Sequence, residues 1–335
     1  MSEIIASTYQ LLKKLGSGGG GVIYLAEHLR LHKKVVLKAD RRPVSTSPEM
    51  LRREVDVLKT LKHPHIPQVY DYFSEDGTVY TAMEYVEGES LDQGLKRGER
   101  YTQAQVVQWA CQLLDALDYL HRPIHGDPPR GYIHSDVKPA NIMRLPDDSI
   151  CLIDFNISLA IGEENVIGCS AGYASPEHYG LDFSTENSLT LEAAGDPPQE
   201  ETEFAPQQDA TVTATERRRS RPMDASPRTP RLRVVVPDVR SDIYSVGATL
   251  YHLVSGIRPD SHAKAVRPLT AEQCSPLVAG IINRAMDPNP DRRFQTAAEM
   301  LSALLHLKEN DPRTRRLRRA RRLHLPGSTG CIRGR

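Results

Sequence analysis

Four parts of the chain carry residue types and spacings that could bind phosphate and a metal ion. The stretch Gly16–Gly21 has the pattern G-x-G-x-x-G, and Lys38 ends the apolar run Val-Val-Leu. Acidic and amide side chains follow in His134–Asn141 and in Asp154–Asn156. Glycine N–H groups can approach phosphate because no Cβ intervenes, and carboxylate and amide oxygens suit a hard cation. These residue types favour phosphoryl chemistry.

The glycine stretch by itself is compatible with several structures. A dinucleotide-binding fold uses the same spacing, but there the glycines lead into a helix. Here they lead into GVIYLAEH, which alternates like a strand. A plain hairpin turn and a flexible lid over nucleotide phosphates both remain open at this point.

The order of the motifs along the chain distinguishes between a plain hairpin turn and a lid over nucleotide phosphates. After the glycines and Lys38 comes an acidic residue, Glu54, on an amphipathic helix. Three further motifs follow in order: H-x-D-x-K-P-x-N at His134–Asn141, Asp-Phe-Asn at Asp154–Asn156 and Ser-Pro-Glu at Ser175–Glu177. This ordered set resembles the eukaryotic-like protein kinase superfamily of bacterial type, and the H-x-D-x-K-P-x-N form is similar to its Ser/Thr branch. The resemblance covers roughly residues 9–305.

The resemblance implies a fold and an activity. The fold is α+β with two lobes: a small antiparallel sheet with one helix, followed by a larger, mainly helical lobe. The activity is transfer of the γ-phosphoryl of ATP to Ser or Thr hydroxyls of protein substrates, which needs positioning and charge neutralisation more than covalent chemistry.

Catalytic roles carry over residue by residue. Lys38 would supply charge to the α- and β-phosphates, and Glu54 would hold Lys38 by an ion pair. Asp136 would accept the proton of the substrate hydroxyl, with Lys138 near the transferred phosphoryl group.

The implied cofactors are ATP and Mg²⁺, with Mn²⁺ as a substitute. Asn141 and Asp154 would be the metal ligands. Met83 would be the gatekeeper, and the backbone of Glu84 and Val86 would bond the adenine edge. The full set of implied nucleotide-binding residues is Gly16, Ser17, Gly18, Gly19, Gly20, Gly21, Ile23, Val36, Lys38, Met83, Glu84, Val86 and Met143.

Other positions resemble the scaffold of the family. Asp242 resembles the buried Asp of the long central helix that anchors the catalytic loop, and Glu177 would pair with Arg293. The residues that resemble its hydrophobic spine are Leu58, His134 and Phe155.

Four positions depart from the family pattern. Ser135 stands where many kinases have an Arg that grips a phosphorylated activation loop, so we expect activity without such phosphorylation. Ser170 replaces the usual Thr near the catalytic Asp and is interpreted as a structural contact. Asn156 replaces a Gly, and Asn tolerates positive φ better than most residues. Gly20 replaces an aromatic residue at the loop tip.

Hydrophobic periodicity indicates the elements that must position these residues. Residues 9–40 read as three antiparallel strands, and QVYDYF and TVYTAMEYV as two more. A helix is expected between them, with Ser47 as its N-cap. The later helices are predicted at AQVVQWACQLLDALDYLH, SDIYSVGATLYHLVSG, PLVAGIINRAMD and AAEMLSALLHLK.

These elements predict an amino-terminal lobe over 9–86 and a carboxy-terminal lobe over 87–305. The segment 181–236 contains eleven Ser or Thr, and its part 182–216 has nine acids and no base. Such a composition predicts a disordered insertion, either a platform for autophosphorylation or a passive linker. Residues 311–335 form a basic flexible tail with nine Arg and one acid.

Composition excludes several classes of protein. The chain has 335 residues, with 43 basic and 43 acidic side chains, and the basic tail offsets an acidic body. That distribution is not typical of a sequence-specific nucleic-acid-binding fold. The tail is either a solvated end or a contact to an anionic membrane or another acidic partner. Scattered cysteines and no signal or spanning segment predict a cytoplasmic location.

Two alternatives to a protein kinase share part of the pattern. A pseudokinase would keep the fold as a binding or scaffold module, but here the Lys, Glu, Asp and Asn of the motifs are all present. A small-molecule phosphotransferase would share the H-x-D…N…D core. The glycine stretch, the Ser-Pro-Glu segment and Asp242 argue against it.

Overall fold

A computed structural model of the chain describes residues 3–18, 21–40, 58–154, 170–181, 183, 236–260 and 269–310. Several sequence predictions lie outside these ranges. They concern the helix begun at Ser47 together with its Glu54, the loop tip Gly19–Gly20, the pair Phe155–Asn156, nearly all of the 181–236 insertion, and the tail over 311–335.

The amino-terminal lobe is built on one antiparallel sheet with the strand order β1-β2-β3-β4-β6-β5. Its strands are β1 (Ile4–Ile5), β2 (Tyr9–Gly18), β3 (Gly21–His28), β4 (Lys33–Asp40), β5 (Val69–Glu75) and β6 (Thr78–Glu84). The five strands that the sequence predicts are all present. Only β1 is additional, because two residues are too short to show an alternation.

Strand β4 shows how the alternation positions the site. Val35, Leu37 and Ala39 are buried, and Val35 and Leu37 belong to the core of this lobe. Because successive side chains of a strand point to opposite faces, Val36 and Lys38 lie on the other face of the sheet. The apolar residues of β4 thus direct Lys38 away from the core.

The carboxy-terminal lobe is mainly helical. The helices among the described residues are α1 (Leu91–Lys96), α2 (Gln103–His121), α3 (Val239–Ser255), α4 (Pro276–Ala285) and α5 (Ala297–Asn310). None of these helices is both long and apolar enough to cross a membrane. The four long ones match the predicted helical segments, whereas α1 was missed.

Local capping signals explain where two of these helices begin. Thr102 and Gln105 form a capping box at the start of α2, and Asp238 and Ser241 form another at the start of α3. In a capping box, two side chains satisfy backbone N–H groups that have no partner within the helix.

Helix α3 is the centre of the carboxy-terminal core. Every residue from Ser241 to Tyr251 is buried, and the helix packs with α2 in the largest hydrophobic cluster. A helix that is covered on all sides lies inside a core rather than on its surface. Asp242 is therefore a carboxylate held inside the protein, with 0% exposure.

A second, smaller sheet joins one strand that precedes the catalytic segment in the chain to two strands that follow it. It contains β7 (Glu89–Ser90), β8 (Ile142–Arg144) and β9 (Ile150–Leu152), all antiparallel. The N–H of Leu152 donates to the carbonyl of His65 at 2.8 Å, and Nδ1 of His65 lies 2.7 Å from the carbonyl of Ile150. The segment that precedes β5 is thereby tied to the sheet that leads to Asp154.

Candidate active site

The catalytic loop is anchored by the buried carboxylate of Asp242. The backbone N–H groups of His134 and Ser135 donate to its two oxygens, each at 2.8 Å, and Nε2 of His121 lies 2.9 Å from Oδ2. Burial alone would raise the pKa of Asp242, but the hydrogen bond and charge of His121 hold that pKa below its usual value. An ionised Asp242 thus fixes the start of the loop to α3.

Ser135 takes a backbone conformation that few non-glycine residues adopt. Its φ is +63°, in the left-handed region. Its side chain is buried, and Oγ has no hydrogen-bond partner among the described residues. The position where many kinases have Arg is therefore filled here by a small side chain that faces inward.

The carboxylate of Asp136 lies at the centre of a side-chain network. Nζ of Lys138 donates to Oδ2 at 2.6 Å, and Oγ of Ser170 donates to Oδ1 at 2.6 Å. Lys138 also donates to Oγ of Ser170 at 2.7 Å. Nδ2 of Asn141 donates to the carbonyl of Asp136 at 2.9 Å and to its Oδ2 at 3.0 Å. Both carboxylate oxygens are thus held in place by named donors.

Asp154 and Lys38 bring the two lobes together at the site. Nζ of Lys38 lies 2.6 Å from Oδ1 of Asp154, with 16% and 27% of the two side chains exposed. The φ of Asp154 is +61°. The N–H of Ile153 donates to the carbonyl of Asn141 at 2.8 Å, so the two residues predicted as metal ligands lie on adjacent backbone segments.

These residues are a suitable but incomplete donor set for a divalent cation. Asn141 offers an amide oxygen and Asp154 a carboxylate, both of the hard oxygen type that Mg²⁺ prefers. No cluster of three or more His, Cys, Asp or Glu with metal-binding geometry occurs in the part of the chain that the structure describes. The remaining ligands would have to be phosphate oxygens and water, as is usual for Mg²⁺ bound with a nucleotide.

The predicted nucleotide-binding residues lie on facing and adjoining strands. Ile23 pairs with Lys38 between β3 and β4, and Val36 pairs with Met83 between β4 and β6. Met143 lies on β8, opposite Ser90 of β7 in the carboxy-terminal lobe, and Glu84 ends β6. Val86 follows in the connection between β6 and β7.

The glycine stretch closes the hairpin of β2 and β3. Gly16 pairs with Ile23, Ser17 with Val22, and Gly18 with Gly21. Gly21 has a φ of +127°, and a Cβ there would lie 2.0 Å from the carbonyl oxygen of Ala39. By contrast, a Cβ on Gly16 would have no neighbour within 4 Å.

A buried ion pair supports the segment that follows Ser170. Nη2 of Arg293 lies 2.7 Å from Oε1 of Glu177, and Nη1 lies 3.2 Å from Oε2. Arg293 has 0% exposure and also donates to the carbonyls of Arg240 and Pro288, each at 3.0 Å. The pairing of Glu177 with Arg293 expected from the sequence is present in the structure.

The structure therefore brings together most, but not all, of the predicted site. Lys38, Asp136, Lys138, Asn141 and Asp154 are placed as described above, whereas Glu54 lies outside the described residues. Sequence reasoning missed His121, which contacts Asp242. Its only signal is its place at the end of α2, shortly before the H-x-D segment.

The comparisons with known proteins agree with this geometry. The family model described as "Protein kinase domain" matches residues 9–188, more than half of the chain. The chain belongs to this family, and it has the two-lobed fold of the family. Members of the family use ATP and a divalent metal.

Three curated proteins with similar sequences are serine/threonine-protein kinases by name. The chain is 28% identical over 325 residues to serine/threonine-protein kinase PknB of Mycolicibacterium smegmatis, covering 91% of this chain and 44% of the relative. It is 25% identical over 331 residues to a probable serine/threonine-protein kinase of Clostridium acetobutylicum, covering 92% and 41%. A probable serine/threonine-protein kinase of Streptomyces coelicolor is 27% identical over 325 residues, with 88% and 39% covered. The chain spans less than half the length of these curated relatives.

Proposed function

We propose that this chain is a serine/threonine protein kinase that transfers the γ-phosphoryl group of ATP to protein hydroxyls. The observation that carries the proposal is the network around Asp136. Its Oδ1 accepts a hydrogen bond from the hydroxyl of Ser170 at 2.6 Å, which is the geometry required for a Ser or Thr acceptor. Lys138 contacts the same carboxylate and the same hydroxyl.

In this proposal the phosphates are positioned by residues from both lobes. Lys38 places its ammonium group at the α- and β-phosphates, and its contact with Asp154 fixes the direction of the side chain. Asn141 and Asp154 would hold Mg²⁺, or Mn²⁺ in its place. The metal would neutralise phosphate charge as it develops in the transition state.

The catalytic loop positions the acceptor hydroxyl of the protein substrate. Asp136 orients the attacking hydroxyl and accepts its proton, while Lys138 supplies positive charge beside the oxygen that is being phosphorylated. Because both carboxylate oxygens of Asp136 already have donors, its orientation is fixed before the reaction begins. Such preorganisation avoids reorientation of groups during the chemical step.

The two alternatives have less support. A binding module without activity would not need these polar side chains close together. The contacts of Lys38 with Asp154 and of Asn141 with Asp136 therefore support an active kinase. A small-molecule phosphotransferase would not need the buried pair of Glu177 and Arg293 beneath the segment after Ser170. In this proposal, that segment contributes to binding the protein substrate.

The test is transfer of labelled phosphate from ATP to a protein substrate, compared with choline and aminoglycoside acceptors. Asp136→Asn should lower transfer to protein by about 10²- to 10⁴-fold, the usual contribution of a general base. Glu272→Gln, which changes an exposed acid of the same lobe, is the matched control. Transfer only to small acceptors, or an unchanged rate in Asp136→Asn, would contradict the proposal.

A further inference from the structure

Two exposed arginines flank the segment that follows Ser170. We name Arg100 and Arg258 the arginine pair, and we propose that it selects acceptor segments that carry acidic side chains close to the acceptor Ser or Thr. This inference rests on the proposed function, because it names the substrate class that the same site would accept.

Arg258 is held close to the catalytic carboxylate. Its Nη2 donates to the carbonyl of Ala171 at 2.5 Å. Ala171 directly follows Ser170, whose hydroxyl donates to Asp136 at 2.6 Å. With neighbouring Cα atoms about 3.8 Å apart, the guanidinium lies on the order of 10 Å from the carboxylate of Asp136. That distance is within reach of a residue two or three positions from the acceptor in an extended peptide.

Contacts with neighbouring residues hold the side chain of Arg258 in this position. Its guanidinium lies over the ring of Tyr173, 5.3 Å from the centroid, and the hydroxyl of Tyr173 lies 2.6 Å from Nδ1 of His252. Gly172 has a φ of +85°, and a Cβ there would lie 2.5 Å from the carbonyl oxygen of Pro259. The segment after Ser170 and the segment after α3 are thus in close contact.

Arg100 adds a second charge on the same side. A Cβ on Gly256, the residue that caps α3, would lie 2.4 Å from Nη1 of Arg100. The guanidinium therefore lies against the carboxy-terminal end of α3, where the helix dipole favours a cation. The N–H of Gly256 donates to the carbonyl of His252, which places Arg100 one helical turn from the residue that contacts Tyr173.

The nearby acids do not cancel the arginine pair. Asp92 is already paired with Lys96, with Nζ 2.7 Å from Oδ2, and Asp260 is one exposed acid two residues after Arg258. Burial lowers the pKa of His252. The charge of Asp92 opposes this shift and the charges of Arg258 and Arg100 add to it, so the pKa stays below its usual value. Among the described residues beside the catalytic loop, the arginine pair therefore outweighs the one unpaired acid, Asp260, and charge complementarity favours acidic segments there.

The chain itself carries a segment with this chemistry. Residues 197–207 read Pro-Pro-Gln-Glu-Glu-Thr-Glu-Phe-Ala-Pro-Gln, with Thr202 as the single hydroxyl and three glutamates around it. A synthetic peptide of this sequence is a suitable acidic probe. A peptide in which Glu200, Glu201 and Glu203 are replaced by Gln is the matched neutral probe.

The experiment measures kcat/KM of the full chain for both peptides, and the preferences in a degenerate Ser/Thr peptide library. We expect the acidic peptide to be preferred by about five- to tenfold, as two partly exposed charge contacts allow. Arg258→Glu should abolish that preference, mainly through a higher peptide KM, and leave the neutral peptide within about twofold. Arg292→Glu, an exposed arginine elsewhere in the lobe, should retain the preference.

Two results would overturn the inference while leaving the proposed function intact. One is equal use of both peptides together with a library that shows no acidic preference. The other is an equal loss for both peptides in Arg258→Glu, which would assign Arg258 to holding Ala171 alone. Transfer to neither the peptides nor the library would instead overturn the proposed function, and this inference with it.

Discussion

The carboxylate of Asp136 accepts hydrogen bonds from Lys138, Ser170 and Asn141, so this chain alone fixes its orientation. Ser170 is the member of this network that comes from outside the catalytic loop, and the sequence predicts it to be a structural contact near the catalytic Asp. Its bonds to both charged neighbours indicate a positioning role.

The first prediction concerns that hydroxyl. Ser170→Ala should lower kcat by about 10- to 100-fold, since a hydrogen bond to a charged group is worth about 1.5–3 kcal/mol. Ser170→Thr should keep most of the activity because it keeps the hydroxyl. Steady-state kinetics of both variants give the answer, with the KM for ATP expected to be unchanged. Full activity in Ser170→Ala would show that the contact has no role in positioning.

The second prediction follows from Ser135. Because the side chain at this position is short and buried, it cannot bind a phosphorylated loop as an Arg would. Phosphatase-treated enzyme should therefore phosphorylate an exogenous protein substrate at a rate within about twofold of untreated enzyme. Mass spectrometry must show that the treated enzyme carries no phosphate. A large loss of activity that returns on autophosphorylation would contradict the prediction.

At the residue scale, the sequence predicts which residues belong to the site, but it does not predict which residues they contact. The H-x-D-x-K-P-x-N spacing predicts Asp136, Lys138 and Asn141 because they lie within one short loop. The contacts of His121 with Asp242 and of Tyr173 with His252 join residues far apart in the chain. The local hydrophobic pattern of a sequence cannot predict a contact between residues so far apart in the chain.

At the scale of elements, two glycines of one motif have different structural requirements. Gly21 has a positive φ and approaches the backbone of Ala39, whereas the Cβ position of Gly16 is open. The strand pairing of β3 with β4 thus depends on Gly21, whereas no packing contact requires a glycine at position 16.

The third prediction uses this contrast. Gly21→Ala should lower the free energy of unfolding by about 1–3 kcal/mol, because the added Cβ meets a backbone carbonyl and the φ is unfavourable. Gly16→Ala should change it by less than about 0.5 kcal/mol. Urea denaturation of both variants measures the difference. Equal effects would show that the close approach to Ala39 does not constrain the hairpin.

The predicted elements are those with a clear period. Strands β2 to β6 alternate, and α2 to α5 carry apolar residues at helical spacing, so both classes appear in the sequence. Strands β7, β8 and β9 have two or three residues each, too few for an alternation. They form because neighbouring elements place their backbones side by side.

At the scale of the whole molecule, several histidines are buried or half-buried. Burial lowers the pKa values of His63, His134 and His178. A histidine with a lowered pKa binds fewer protons in the folded than in the unfolded chain below its ordinary value of about 6.5. Folding stability should therefore fall as the pH drops below about 6.5.

The fourth prediction isolates one of these groups. Nδ1 of His178 lies 2.9 Å from Oγ of Ser175, while its Nε2 has no hydrogen-bond partner among the described residues. His178→Gln should recover part of the stability lost between pH 6.5 and pH 5.5, at most about 1 kcal/mol, which is the limit for one proton. His32→Gln, whose side chain is 82% exposed, serves as the control. Urea midpoints at both pH values measure the effect, and parallel losses in both variants would contradict the assignment.

The buried carboxylate of Asp242 has a consequence for how the protein loses its structure on heating. It belongs to the most deeply buried helix, and it holds two successive amides of the catalytic loop. The loop cannot leave its position without leaving a buried carboxylate short of hydrogen-bond donors, at a cost of about 3–5 kcal/mol, which is a large part of the stability of a typical domain. Thermal inactivation and collapse of the carboxy-terminal lobe should then be one cooperative event, so that each molecule retains either its full catalytic geometry or none of it.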